Sequence, residues 1–489
     1  MRPFRFSSMM QVGLALCAAA FAPVIVSSAA EQKIGTPPEA MNMRLVGYDD
    51  LQGRSAYQPT IHHQGNRYIA YIGHHGGTPE IPKPVNRLTG QAEFNGTSIV
   101  DVTDPTHPRY LAHIPGTPGN YEDGGAQMTR VCDGRALPKG DPNKTYLLRV
   151  FGGKSHQIYD VTDPAKPALI WQREGELNDT HKSWWECDTG IAYLVSGVPG
   201  WRVNRMTEVY DMSDPSHPVK IRDFGLPGQQ PGATGPVPEQ LHGMISLGRE
   251  GNRIYFGYGT NKNGVMQIVD RDKLLHGPKE PTAENLLYPE VGRLTMTPFN
   301  GAHTTFPMPK MPIAEFARDS LGAERDIVMI VDEQIRNACQ EPRQMAWFVD
   351  VTIEAHPMII SNFQVSEASG NFCSRGGRFG THASNESMAP IFYKKVVFLS
   401  YFNAGVRAVD IRDPYHPKEI AYFIPSITET TDKRCITING QDSCKVAIQT
   451  NNVETDERGY VYIVDRANTG MHILELTGPA RAVAGLPAQ

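Results

Sequence analysis

The stretch QIYDVTDPAKP at residues 157–167 decides the fold, because the chain repeats it. Close copies are SIVDVTDPTHP at 98–108, EVYDMSDPSHP at 208–218 and RAVDIRDPYHP at 407–417. Weaker copies that have lost the Asp-Pro pair lie at 265–275, 346–357 and 471–481. The acidic residue that ends each apolar run therefore occurs seven times, at Asp101, Asp160, Asp211, Asp270, Asp350, Asp410 and Glu475. Self-similarity at intervals of 51 to 80 residues is typical of a propeller or a solenoid.

Each copy is predicted to be a β-strand followed by a tight turn. Small and β-branched residues alternate, an Asp and a Ser or Thr begin the turn, and Pro stops the pairing. The repeated Asp is expected to accept backbone N–H groups in that turn, which is a structural role. Further strand-like runs lie before and after most copies, so each unit is predicted to be a four-stranded antiparallel blade. Seven such units predict an all-β, seven-bladed β-propeller.

The repeat, apolar-apolar-Asp-apolar-Thr/Ser-Asp-Pro-x-x-Pro, also resembles that of the LVIVD-repeat β-propellers, a family of bacterial secreted and surface proteins. The resemblance covers nearly all of the chain after residue 30. It implies the propeller fold, but it implies no particular reaction. It also leaves open a non-catalytic role in binding.

The termini of the chain are predicted to have separate roles. Residues 1–30 are predicted to be a signal peptide, and residues 31–489 a single propeller domain. The last blade, 449–477, lacks an outer strand, and the segment 43–49 resembles one. We therefore expect the N-terminal strand to close the ring, since closure removes an exposed edge. Residues 311–325 are expected to form one short helix in an insertion.

Export is predicted from the first residues. Arg2 and Arg5 precede an apolar stretch at 12–26, and small residues follow up to Ala30. This is the pattern of a secretory signal, which indicates a periplasmic or extracellular protein. No other stretch is apolar enough to cross a bilayer, so the mature chain is expected to have no transmembrane segment. Without Arg2 and Arg5 the net charge is −7, and no basic patch argues for nucleic acid as a partner.

Six cysteines follow the predicted signal peptide, an even number that fits disulfides in an oxidising compartment. Cys435 and Cys444 flank a turn, which predicts a disulfide-closed hairpin. Cys132 and Cys187 end the inner strands of neighbouring blades and can bridge. Cys339 and Cys373 then pair by elimination. The alternative makes Cys373 a soft metal ligand or a nucleophile.

Histidines recur in phase with the blades. His181, His242 and His303 are 61 residues apart, and His382 follows after 79. Each lies where the chain enters an inner strand, next to the central channel, so we expect a ring of imidazoles at one mouth. Blade one offers His62 and His63 on its inner strand. The alternative is that the imidazoles fill a polar channel and bind water.

Convergent imidazoles from separate blades suit a transition metal, with Cu or Fe preferred and Zn or Mn possible. The predicted ligands are His181, His242, His303 and His382. Glu386 and Glu454 are the predicted acid/base or supporting groups. Trp201, Arg375 and Arg378 are the predicted substrate-binding residues. For these three the alternatives are packing for the tryptophan and a solvated loop for the arginines.

Two functions are consistent with these features. The first is an exported, transition-metal-dependent oxidoreductase or lyase acting on a small molecule. The second is a non-catalytic LVIVD-repeat propeller whose loop face binds a protein, a glycan or a cell-surface polymer. The sequence identifies neither the substrate nor the oligomeric state.

Overall fold

The computed structural model describes residues 32–487 and shows a seven-bladed β-propeller of four-stranded antiparallel sheets. The predicted signal peptide and the first residue of the predicted propeller domain lie outside the described residues. Blade 1 is built from Ala56–Gln64, Arg67–His75, Thr97–Asp101 and Arg109–Ile114. Blade 2 is built from Thr129–Asp133, Thr145–Phe151, Ser155–Asp160 and Ala168–Gln172. Blade 3 is built from Ser183–Trp185, Ile191–Ser196, Met206–Asp211 and Val219–Phe224.

The remaining blades follow the same antiparallel order. Blade 4 is built from Leu241–Ser246, Arg253–Tyr258, Val265–Asp270 and Glu290–Thr295. Blade 5 is built from Thr304–Pro312, Glu324–Val331, Ala346–Asp350 and Met358–Phe363. Blade 6 is built from Val396–Ser400, Val406–Asp410 and Lys418–Ile424, with an inner segment that pairs through the bridge Ser384–Leu399. Blade 7 is built from Thr450–Thr455, Tyr460–Asp465, Gly470–Leu476 and Met43–Asp49.

The N-terminal segment lies across the last two blades. Glu39–Met41 pairs with the outer strand of blade 6, and Met43–Asp49 pairs antiparallel with Gly470–Leu476 of blade 7. Segment 43–49 is thus the outermost strand of the seventh sheet. That this pairing closes and stabilises the ring stays a prediction.

Elements outside the blades are short. A hairpin of Lys433–Ile438 and Gln441–Val446 rises from the loop between blades 6 and 7, and Gly125–Ala126 pairs with the second strand of blade 1. The described α-helices are Gly248–Gly251, Arg271–His276, Ala283–Leu287 and Gly478–Ala484. Single 3-10 turns lie at Leu51–Gly53, Tyr121–Asp123, Glu315–Ala317, Glu367–Ser369 and Phe372–Ser374. Between residues 32 and 487, no helix has the length and apolar character to cross a membrane.

The repeated Asp has the structural role predicted for it. Its carboxylate accepts the backbone N–H of the residue two positions on, at 2.9 to 3.1 Å, in five of the copies: Asp101, Asp160, Asp211, Asp350 and Asp410. In the fourth copy, Asp270 instead caps helix Arg271–His276 by accepting the N–H of Lys273. This helix occupies the position of the lost Asp-Pro turn.

Apolar side chains fill the spaces between neighbouring blades. The cluster centred on blades 5 and 6 contains fully buried rings of Phe306, Phe348 and Tyr401. Burial of one such side chain stabilises the fold by about 2 to 3 kcal/mol. Each interface between neighbouring blades has its own cluster, so the blades pack side by side around the channel.

All three proposed cysteine pairings are confirmed: Cys132–Cys187, Cys339–Cys373 and Cys435–Cys444. Cys373 is therefore neither a free nucleophile nor a thiolate ligand here. Three disulfides are typical of proteins that fold in an oxidising compartment, which fits an exported protein.

The prediction of a short helix at 311–325 is wrong. Strand Thr304–Pro312 continues into this segment, and strand Glu324–Val331 leaves it. Pairing of Met311 with Arg325 and of Pro312 with Glu324 uses the backbone that a helix would need. Only the 3-10 turn Glu315–Ala317 remains helical there.

Candidate metal centre on the propeller axis

Five aromatic rings form a closed circle in the channel, and each comes from a different blade. The members of this axial circle are Tyr57, His181, His242, His303 and His382. Neighbouring ring centroids are 3.8 to 5.5 Å apart around the whole circle. Every member is at most 3% exposed. The four predicted histidines are therefore brought together as expected.

Irregular pairing at the entry to the inner strands aims these side chains at the axis. His242 lies at a register shift between Leu241 and Gly243, and Tyr57 lies at one between Ala56 and Pro59. His303 directly precedes its inner strand. A bulge re-aims a side chain that regular pairing would point at a neighbouring blade. The blades thus deliver imidazoles to the channel at the same level.

Hydrogen bonds orient two of the imidazoles. The Nδ1 of His382 lies 2.7 Å from the carbonyl oxygen of Asn451, so Nδ1–H donates and Nε2 keeps its lone pair. The Nδ1 of His303 lies 3.0 Å from the Thr304 hydroxyl, and its buried Nε2 has no hydrogen-bond partner. A carbonyl or hydroxyl on one ring nitrogen is the usual support for a histidine that binds metal through the other.

Glu333 faces three of the imidazoles. Its carboxylate oxygens lie 3.9 Å from Nε2 of His242, 3.8 Å from Nε2 of His303 and 3.6 Å from Nε2 of His382. One oxygen also accepts a hydrogen bond from Arg378 at 3.0 Å. Donor atoms of His242, His303 and Glu333 all lie within 4.8 Å of one another, so this group could hold a metal ion.

Burial sets the protonation of the site. Desolvation lowers the pKa of all four imidazoles well below 6.5, and nearby cations such as Lys182 act in the same direction. The rings are therefore neutral, with lone pairs available to a metal. Desolvation raises the pKa of Glu333, while Arg378 and Arg466 oppose the rise. A bound cation would favour the ionised carboxylate further.

A second polar layer lies beside the axial circle and contains both predicted acid/base residues. Glu386 pairs with Arg130 and lies 3.8 Å from Nζ of Lys182. Glu454 accepts the backbone N–H groups of Glu386 at 3.3 Å and of residues 387 and 455 at 3.0 and 2.9 Å. Contacts within the protein thus hold both carboxylates in place next to the axial circle. Their catalytic role stays a prediction.

The three predicted substrate-binding residues lie in different parts of the fold. Arg378 lines a cavity at the mouth of the channel and contacts Glu333. Arg375, three residues earlier, pairs with Glu39 of the N-terminal segment at 2.6 Å. Trp201 packs against the apolar cluster between blades 3 and 4. Of the three, Arg378 alone lines this cavity, and its role in substrate binding stays a prediction.

The cavity at the mouth has a volume of about 230 Å³. Its walls include Tyr121, Glu122, Arg378, Arg434 and Arg466. Gly376 and Gly377, at φ +89° and +69°, turn the backbone so that the next N–H donates to Gln449 at 2.9 Å. We call this space the mouth cavity. It lies next to the axial circle, because the ring centroid of its wall residue His75 is 4.8 Å from that of Tyr57.

Two members of the site carried no clear signal in the sequence. Tyr57 occupies the position in blade 1 where a histidine was sought, and Glu333 is one of several acidic residues near the rim. His62 and His63 lie farther along the same strand, where they contact Asp133 and Glu457. Blade 1 therefore contributes a phenol, not an imidazole, to the axial circle.

Comparison with known proteins gives weak structural similarities and no match in sequence. No protein-family profile and no curated protein sequence matches this chain. Raptor of Chaetomium thermophilum is similar with a TM-score of 0.49 and 10% identity, over 89% of this chain and 29% of that one. A periplasmic gluconolactonase of Pseudomonas aeruginosa is similar with a TM-score of 0.42 and 9% identity, over 73% and 86%. This chain thus spans less than a third of the Raptor chain, and neither likeness bears on substrate or reaction.

Proposed function

We propose that this protein is an exported metalloenzyme of the LVIVD-repeat propeller type, an oxidoreductase or lyase that acts on a small molecule. Its ion is held on the propeller axis by His242, His303 and Glu333, with His181 and His382 next to them. The observation that carries the proposal is the convergence of three buried imidazole Nε2 atoms on one carboxylate, with Nε2 of His303 lacking any hydrogen-bond partner. Unpaired buried polar atoms are costly unless a ligand satisfies them.

The donor set narrows the choice of metal. Two imidazoles and one carboxylate are typical of non-haem iron sites, whereas imidazoles alone would suit copper equally. We therefore propose iron first and copper second. When bound, such an ion supplies redox or Lewis-acid chemistry.

The chain's own residues support that chemistry in separate ways. Burial raises the pKa of the Tyr57 phenol well above 10, so it keeps its proton. Its hydroxyl lies 3.2 Å from Nε2 of His181 and can donate to it. The blades exclude bulk water from the axial circle, and the mouth cavity, separated from it by His75, is the side from which we expect a small molecule to approach.

The test is elemental analysis of the protein after export and incubation with ferrous, cupric, zinc and manganous ions. We expect wild type to retain stoichiometric iron or copper after gel filtration. The double variant His242→Ala/His303→Ala should lose it while keeping its β-sheet circular dichroism. The control is His416→Ala, a turn histidine that is 84% exposed and lies outside the channel. Equal metal content in wild type and the double variant would refute the proposal.

A non-catalytic binding propeller is the second candidate. The observation that favours it is the hairpin of Lys433–Ile438 and Gln441–Val446, which is largely exposed. Ile438, at the end of its first strand, is 50% exposed. If the exported wild type retains no metal under any of these conditions, this second function becomes the better account.

A further inference from the structure

Three arginines meet in the mouth cavity, and each comes from a different part of the chain. Arg378 lies in the glycine-rich loop before blade 6, Arg434 in the hairpin, and Arg466 directly after the second strand of blade 7. Guanidinium groups repel one another, so a fold that collects three of them around a cavity needs negative charge there. Three carboxylates of the protein supply it in number.

Those carboxylates do not pair every N–H group of the three arginines. Arg466 pairs with Glu122, Arg378 with Glu333, and Arg434 lies 3.5 Å from Asp432. Even so, Nη1 of Arg466 and Nε of Arg434 are buried without a hydrogen-bond partner. Both arginines line the cavity and neither has all its N–H groups paired within the protein, so they can bind an acceptor that the protein itself does not provide.

His75 adds a donor on the same wall. Nη2 of Arg466 lies 2.9 Å from Nε2 of His75, and an arginine only donates, so Nε2 of His75 accepts. The proton of the neutral ring is then on Nδ1, which is buried and has no partner. The ring lines the mouth cavity.

We infer that the mouth cavity binds the carboxylate of a small organic monoanion, which Arg434, Arg466 and His75 hold beside the axial circle. Glu122, Glu333 and Asp432 offset the charge of the three arginines, so the cavity offers an anion unpaired N–H donors without excess positive charge. This suits a monoanion better than a phosphate dianion. A volume of about 230 Å³ also leaves space for an organic group beyond the carboxylate. The planar fork of arginine matches a carboxylate with two parallel hydrogen bonds.

This inference deepens the proposed function, since it names the substrate class of the same site, but the anion contacts themselves need no metal. Binding should therefore be measured by calorimetry on the metal-free and on the metal-loaded protein. The probes are propionate and benzoate, their uncharged amides, and inorganic phosphate. We expect a carboxylate to bind both forms, and to bind more tightly than its amide and than phosphate.

Arg434→Gln should weaken carboxylate binding about tenfold or more, the usual effect of losing a hydrogen bond to a charged group. Arg434 suits this test because its ion pair with Asp432 is loose, at 3.5 Å. Its Nη2 also donates to the Arg466 carbonyl oxygen at 3.0 Å, so the circular dichroism of the variant must match that of wild type. The matched control is Lys433→Gln, the exposed neighbouring cation on the same hairpin strand, which should leave binding unchanged. Arg466→Gln serves as a second variant, with the same expected loss.

The outcomes separate the two proposals. Carboxylate binding that is lost in Arg434→Gln, in a protein that retains no metal, supports the anion site and refutes the metalloenzyme. Metal retention with no carboxylate binding supports the metalloenzyme and refutes the anion site. Amides that bind as well as carboxylates, tighter binding of phosphate, or equal losses in Arg434→Gln and Lys433→Gln would each overturn the inference.

Discussion

The Nε2 atoms of His181 and His242 lie 3.0 Å apart in the closed centre of the propeller. Two lone pairs at this distance repel, so one nitrogen must carry a proton or a cation must lie beside them. Tyr57 can donate to His181, but Nδ1 of both imidazoles is buried and without a hydrogen-bond partner. A metal ion in the axial circle would relieve this arrangement.

Metal binding should therefore stabilise the fold. At a free concentration of about 100 times its dissociation constant, an ion that binds only the native state adds about 2.7 kcal/mol to the free energy of unfolding. We expect the thermal midpoint of the metal-free protein to rise on addition of ferrous or cupric ions and to fall again with a chelator. The same titration of His242→Ala/His303→Ala should give no rise. A rise of equal size in that variant would place the stabilising ion elsewhere.

Replacement of the carboxylate should weaken the site without unfolding it. Glu333→Gln keeps the volume of the side chain but removes the charge that faces three imidazoles. We expect metal affinity to fall about 10- to 100-fold, measured by competition with a chromophoric chelator. Glu367→Gln, a change in a 3-10 turn on the rim outside the axial circle, is the control. Unchanged affinity in Glu333→Gln would remove this carboxylate from the ligand set.

The histidines could be located from the sequence because they keep the period of the blades. A spacing of 61 residues repeats the path of one blade, so equivalent positions return to the same level of the channel. His62 and His63 miss that level because they lie five and six residues beyond Tyr57 along the same strand. At about 3.3 Å per residue this is a displacement of roughly 17 to 20 Å.

Glu333 and the mouth cavity could not be located in this way. Glu333 follows the second strand of blade 5, so its position depends on how a long loop folds back over the channel. Arg434 reaches the mouth cavity only because the hairpin lies against the loop at Asn337, which donates to the Cys435 carbonyl at 3.0 Å. Neither the position of Glu333 in its loop nor the contact of the hairpin with Asn337 produces a periodic pattern in the sequence.

The buried Glu454 should make stability depend on pH. Burial raises its pKa from 4.5 to about 7, and the charge of Glu386 adds to the rise. The folded protein thus binds this proton more tightly than the unfolded chain does. The contribution to stability is complete below pH 4.5 and is lost as the pH rises through about 7, with a size of about 3 kcal/mol.

Glu454→Gln, neutral at every pH, isolates this effect. We expect the variant to gain stability relative to wild type as the pH rises from about 5 to about 8, measured by urea unfolding. Glu429→Gln, a change at an exposed position, should follow wild type throughout. A difference between Glu454→Gln and wild type that does not change with pH would contradict the raised pKa.

The disulfides should differ in their effect on stability. Cys132 and Cys187 are separated by 55 residues, and Cys435 and Cys444 by 9. Because a longer closed loop restricts the unfolded chain more, replacing the first pair by serines should cost about 4 kcal/mol and the second about 3 kcal/mol. Denaturant unfolding of the two double-serine variants checks the order. The reverse order would show that strain or residual structure outweighs loop entropy.

The most direct measurement is a crystal structure of the metal-loaded protein with anomalous data collected at the absorption edges of iron and copper. We expect one strong anomalous peak inside the axial circle, in contact with His242, His303 and Glu333, and no such peak in crystals of His303→Ala. A channel without an anomalous peak, or a peak only at the exposed turn histidines His107, His217 and His416, would contradict a metal centre on the propeller axis.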